Sequence, residues 1–82
     1  MNDEFYTGVV VARTLNRGSK SEYRAAFLET ESQVLRLWRP AGPSFYDPVL
    51  MRLVGNTVRC RGRIEGGKLI LSSWRKVQPK RA

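Results

Sequence analysis

Arg59, Arg61 and Arg63 stand at every second position of Val58–Ile64, and Val58, Cys60, Gly62 and Ile64 alternate with them. Side chains of an extended strand point to opposite faces in turn. This spacing therefore gathers the apolar set on one side and three fixed positive charges on the other. A guanidinium is a flat fork of N–H donors that matches a phosphate and stacks on a ring. The chemistry open to such a row is anion grip, including the tracking of a phosphate backbone. The same row is also what the solvated side of a half-buried strand looks like, with guanidinium stems covering apolar surface. A second basic–aromatic pairing lies upstream. In Gln33–Arg39, QVLRLWR, Leu35 and Leu37 share one face and Val34, Arg36 and Trp38 the other. Leu35 and Leu37 are the better core pair, which turns Trp38 outward beside Arg36. With the parity reversed, Trp38 is core. Turned outward, its ring can stack on a base while the arginine holds the backbone.

Covalent chemistry has little to work with. The chain has no histidine, so the commonest general base is missing. One cysteine without histidine makes no zinc site. There is no glycine-rich phosphate loop and no nucleophile elbow. The seven carboxylates are scattered, and Glu29 and Glu31 read as solvated strand-end charges. Cys60 falls at an inward position and reads as a small buried hydrophobe. The expectation is a protein that is not an enzyme, with no metal, no cofactor and no evident small-molecule substrate.

The charge points to a partner. Fifteen cations against seven anions give a net charge of +8, and the pI is near 10.6. Such a field favours nucleic acid, an acidic protein or a membrane surface. Eleven of the fifteen cations are arginine, which tilts the choice towards nucleic acid. Simple solubility is the plainer reading of the same charge.

Eighty-two residues make one domain with a thin core, burying about 60–65% of the unfolded surface. The start, Met1–Glu4, is acidic and no apolar stretch of signal-peptide length follows. The longest apolar run, Val9–Ala12, is too short to cross a bilayer. The expected location is cytoplasmic, away from membranes.

The elements that must position these residues read as follows. Residues 1–6 are an acidic–aromatic lead. Thr7–Thr14 is strand one, with Gly8 marking a bend or a close backbone approach. Leu15–Ser21 is a turn-rich loop carrying Arg17 and Lys20. Glu22–Glu31 suits a helix by composition and a hairpin arm by length and placement. Read as strand two, it puts Tyr23, Ala25 and Phe27 on one face and Arg24, Ala26 and Leu28 on the other. After the polar turn Thr30–Gln33, strand three runs to Arg39 and ends at Pro40–Pro43, because proline lacks a ladder donor. Asp47-Pro48 opens a short helix, Pro48–Val54, which Gly55 closes. Val58–Val77 is a hairpin split at Gly66-Gly67, supplying strands four and five. Trp74 has the opposite parity to Leu69 and Leu71. That places it over the barrel end or in an oligomer contact, unless a bulge resets its side. Residues 78–82 are a basic tail.

The order strand, strand, strand, helix, strand, strand resembles the OB-fold, a small all-β Greek-key barrel of five strands with a short helix between strands three and four. Gly8 resembles the glycine that lets the long first strand of such barrels bend. Val54–Ile64, VGNTVRCRGRI, resembles their helix exit and fourth strand. The resemblance covers residues 7–77 and marks a superfamily rather than one protein. Its small members include single-stranded DNA-binding and primosomal replication proteins and anticodon-binding domains. The paired aromatic motifs of cold-shock proteins are missing. The strand content also resembles an Sm-like barrel, but there the helix precedes the first strand and residues 1–6 are too short for one.

The resemblance implies a ligand face on strands two and three, flanked by the first loop. Carried over, it names Arg24, Arg36 and Trp38, with Arg17 and Lys20 in the loop and Arg13 at its root. Arg59, Arg61 and Arg63 then lie beside strand one, away from the centre of that face. The implied function is binding of single-stranded nucleic acid, DNA or RNA, with weak sequence preference. The alternative is an interaction module that docks an acidic protein or pairs with a second copy through an exposed strand edge.

Overall fold

The alternation seen in the sequence becomes five strands and one short helix in the computed structural model, which describes residues 3–43 and 45–77. They are β1 (Glu4–Leu15), β2 (Tyr23–Glu29), β3 (Val34–Trp38), α1 (Pro48–Met51), β4 (Thr57–Glu65) and β5 (Lys68–Lys76). The strands make one sheet in the order β1-β2-β3-β5-β4, and β4 pairs back onto β1, so the sheet closes in a ring. Every pairing is antiparallel except β3 with β5. The segment 22–31, which composition alone would make a helix, is strand. Pairing with β1 and β3 decides it, as tertiary context overrides a weak propensity.

The ring is filled by inward residues from every strand. Val10, Leu28, Leu35, Leu37, Val58, Cys60, Leu69 and Leu71 meet Leu50 and Leu53, which come from α1 and the turn after it. Leu28, Leu69, Val10, Val58 and Cys60 are completely buried. Burial pushes the Cys60 thiol up to about 11, so at neutral pH it is a protonated core residue.

Two close approaches allow the ring to close. A Cβ on Gly8 would lie 2.1 Å from the Glu29 carbonyl oxygen, and one on Gly62 would lie 2.1 Å from that of Ile70. Only glycine fits at either crossing. Gly62 borders a register shift between β4 and β5, where Arg61 pairs with Ser73 but Gly62 with Leu71. The extra residue, Ser72, resets the alternation of β5. Trp74 is therefore opposite Cys60 and packs, partly buried, against the core. The side expected from unbroken alternation is corrected by this bulge.

Two boundaries also move. β1 begins at Glu4 rather than Thr7, because Glu4, Phe5 and Tyr6 pair with Gly62, Arg61 and Cys60. The helix ends at Met51 rather than Val54. Leu53 and Val54 donate to carbonyls three residues back, which tightens the chain into turns. The basic tail at 78–82 lies outside the described residues.

The start of α1 is held by one carboxylate. Asp47 accepts from the Val49 amide at 3.0 Å and the Leu50 amide at 3.4 Å as N-cap, and from Arg39 Nε at 3.0 Å and a terminal guanidinium nitrogen at 3.1 Å. Its side chain is only 8% exposed. Burial alone would raise its pKa. The hydrogen bonds from Arg39 and the two amides, with the charge of Arg39, outweigh that and hold it below the ordinary 3.8. A carboxyl with a lowered folded-state pKa stabilises the fold above its unfolded value, and that contribution disappears as pH falls through the folded value. Thermal unfolding should therefore lose stability below about pH 4. Asp47→Asn, which still caps, should flatten that acid limb. Asp47→Ala should cost about 2 kcal/mol or more at neutral pH through the lost cap and the unpaired arginine. An unchanged acid limb in Asp47→Asn would remove Asp47 from this role.

Candidate nucleic-acid interface

With Leu35 and Leu37 buried, Arg36 and Trp38 point outward from β3, as their alternation requires. Ring closure then sets what stands beside them. Register pairs Arg36 with Phe27 of β2 on one side and with Lys68 of β5 on the other. It pairs Trp38 with Ile70 of β5, and Ile70 in turn with Arg63 of β4. On β1, Arg13 is paired with Ala25 and takes the outward side as well. The outer wall of β2, β3 and β5 thus carries Tyr23, Phe27, Arg36, Trp38 and Lys68, with Arg13 and Arg63 at its two margins.

These side chains touch one another. The Lys68 ammonium sits 4.2 Å from the Trp38 ring centroid and the Arg36 guanidinium 5.2 Å from it. Arg36 also lies 5.6 Å from the Tyr23 ring centroid and donates a 2.8 Å hydrogen bond to the Tyr23 hydroxyl. Arg13 lies 5.6 Å from the Phe27 centroid. Phe45, 62% exposed on the β3–α1 connection, meets Tyr23 edge to face at 5.3 Å. Beneath it a small cavity is lined by Ala25, Arg36, Trp38 and Phe45, among others. Among the described residues, three carboxylates stand near this wall and each is paired: Glu29 with Arg13 at 3.6 Å, Glu65 with Arg63, and Asp47, which lines the cavity, with Arg39.

A base that stacks on Trp38 competes with its two cations for the ring. A cation–π contact at a partly exposed site is worth about 0.5–1 kcal/mol, and one stacked base about 1–3 kcal/mol. The exchange is favourable, and it releases a charged group beside the sugar–phosphate backbone. The wall thus brings cations and aromatic rings into direct contact on one outward face.

The structure sorts the residues singled out in the sequence. Arg36 and Trp38 come together. Arg13 and Arg63 join the same wall at its edges. Arg17 and Lys20 are exposed on the β1–β2 loop. Internal hydrogen bonds hold that loop: the Gly18 amide donates to Glu22 at 2.8 Å, and the Ser19 hydroxyl donates to the Asn16 carbonyl at 2.8 Å. Arg24 does not belong to the wall. It pairs with Thr14 and shares the inward parity of Ala26 and Leu28, so it emerges at the barrel end. Arg59 and Arg61 lie on the opposite wall, beside β1. Tyr23, Phe27, Lys68 and Phe45 stand on or beside the same wall without having been singled out in the sequence. The signal for the first two was their shared parity opposite Leu28.

Among the described residues no three of Asp, Glu, Cys or His are grouped to hold a metal ion, and no helix is long and apolar enough to cross a membrane. No protein-family model, curated protein or solved structure matches this chain. The Tyr23 hydroxyl is one of the groups that hold Arg36. Tyr23→Phe should therefore lower stability by about 0.5–1.5 kcal/mol, read as a shift in the urea midpoint. An unchanged midpoint would show that the bond does not hold Arg36 in place.

Proposed function

We propose that this protein is an OB-fold domain that binds single-stranded nucleic acid, with weak sequence preference, on the outer wall of β2, β3 and β5. The observation that carries the reading is Trp38, outward and flanked by Arg36 and Lys68 in a wall that also holds Tyr23 and Phe27. Strand order β1-β2-β3-β5-β4 with a helix between β3 and β4 supports the fold name. The aromatics supply faces on which successive bases stack, and every base has such a face, so discrimination is weak. Arg36, Lys68 and the loop cations Arg17 and Lys20 neutralise phosphates and release counterions. No bond is made or broken. A docking site for an acidic protein would use the same cations but would leave the aromatic row without a role.

Binding of a labelled dT oligomer, followed by anisotropy across a salt series, tests this. Four phosphate contacts give a log–log slope of about −3, from about −0.7 for each contact. Trp38→Ala should weaken binding by about 1–3 kcal/mol without unfolding the protein. Paired reversal of Arg36 and Lys68 to Glu should flatten the slope, and Arg24→Glu should change it little. Absence of salt-dependent binding at low ionic strength would overturn the reading in favour of a protein-docking module.

A further inference from the structure

The proposed face leaves a second basic group of side chains unused. On the opposite wall, Arg59 stands between Thr7 of β1 and Arg75 of β5, and Arg61 stands between Phe5 and Ser73. The Arg59 guanidinium covers the Phe5 ring at 4.3 Å, and Phe5 is 59% exposed. Phe5, Arg59, Arg61, Ser73, Trp74 and Arg75 line an open groove of about 490 Å³. Three arginines and the Phe5 ring share that groove, Trp74 borders it from the core-facing side of β5, and none of its lining residues is acidic.

The two walls are joined. Trp38 pairs with Ile70, Ile70 pairs with Arg63, and from Arg63 the row descends β4 through Arg61 to Arg59 at two-residue steps. Two residues of strand rise about 6.7 Å. That is close to the phosphate step of an extended single strand, so each arginine can meet a successive phosphate. Arginine forks suit phosphate better than the scattered carboxylates of a peptide. The uncapped part of Phe5 offers a further ring to a base.

Resting on the nucleic-acid reading above, we infer that the β4 arginine row is a second track for the same strand. A single strand long enough to leave the Trp38 wall continues over Arg63 onto Arg61, Arg59 and Arg75, and so wraps the barrel. Binding to the second track is then intramolecular, and linked contacts of this kind raise affinity by about 10²–10⁴-fold at most. Short strands occupy the first wall alone.

The test compares dT oligomers of about 5 and about 16 nucleotides, the span of sites that one such barrel covers. Wild-type protein is set against Arg59→Glu/Arg61→Glu, with circular dichroism to verify folding. Arg59→Gln/Arg61→Gln is a milder second variant in case the reversal unfolds. The expected result is an affinity for the short oligomer within about twofold of wild type and a loss of tenfold or more for the long one. The salt slope for the long oligomer should also shrink by about 1.4, for two contacts. Equal loss at both lengths would overturn the inference by making the row part of the primary site. No loss at either length, with wild-type binding intact, would overturn it and leave the Trp38 wall as the whole interface. If wild type binds neither oligomer, both readings fall. If wild type then binds polyglutamate and the variants do not, the row docks an acidic protein instead.

Discussion

One strand serves two halves of the molecule. β1 pairs with β4 from Glu4 to Val9 and with β2 from Val9 to Leu15, so the transfer happens at a single residue. Gly8 allows it, because any side chain there would strike the Glu29 carbonyl. The helix exit secures the next residue: the Gly55 amide donates to the Val10 carbonyl at 2.8 Å, and the Val10 amide donates to the Asn56 carbonyl at 3.0 Å. With β1 shared in this way, the parallel pairing of β3 with β5 closes the sheet, and closure dictates which outward residues become neighbours. Phe27, Arg36 and Lys68 come from three strands and form one row only because the ring is complete.

Closure also divides the positive charge. A chain of net charge +8 could spread its cations evenly for solubility. Here four are placed over aromatic rings: Arg13 on Phe27, Arg36 on Tyr23 and Trp38, Lys68 on Trp38, Arg59 on Phe5. These contacts limit the freedom of long side chains and hold the cations beside the rings. The Arg39–Asp47 pair does similar work for the backbone. It fixes the chain between β3 and α1, the stretch that delivers Phe45 to the edge of Tyr23.

Much of this was legible from residue order. Alternation in Val34–Trp38 and Val58–Arg63 marked inward and outward positions correctly, while Ile64, placed with the inward set, is 40% exposed near the strand end; Asp47-Pro48 marked the helix start. β2 was harder, for a physical reason. Ala25 and Ala26 are both buried, so the small residues in its middle do not show which side faces the core. Arg24 carries a charge on the inward parity because it stands near the strand end, where the inside of the barrel opens to solvent. Its charge drew attention from Tyr23 and Phe27, the outward residues. Trp74 escaped because one extra residue, Ser72, inverts every position after it, and nothing in the local pattern marks that insertion. Lys68 became visible only through the β3–β5 pairing, which joins residues far apart in the chain.

On the proposed reading, bases stack on the wall formed by β2, β3 and β5. Photo-crosslinking to a single strand carrying halogenated uracil, with the adducts mapped by peptide mass spectrometry, tests it most directly. The expected result is adducts on Trp38 and Tyr23, suppressed by excess unlabelled strand and by high salt. Adducts confined to Phe5 and Trp74, or adducts that salt does not suppress, would contradict it.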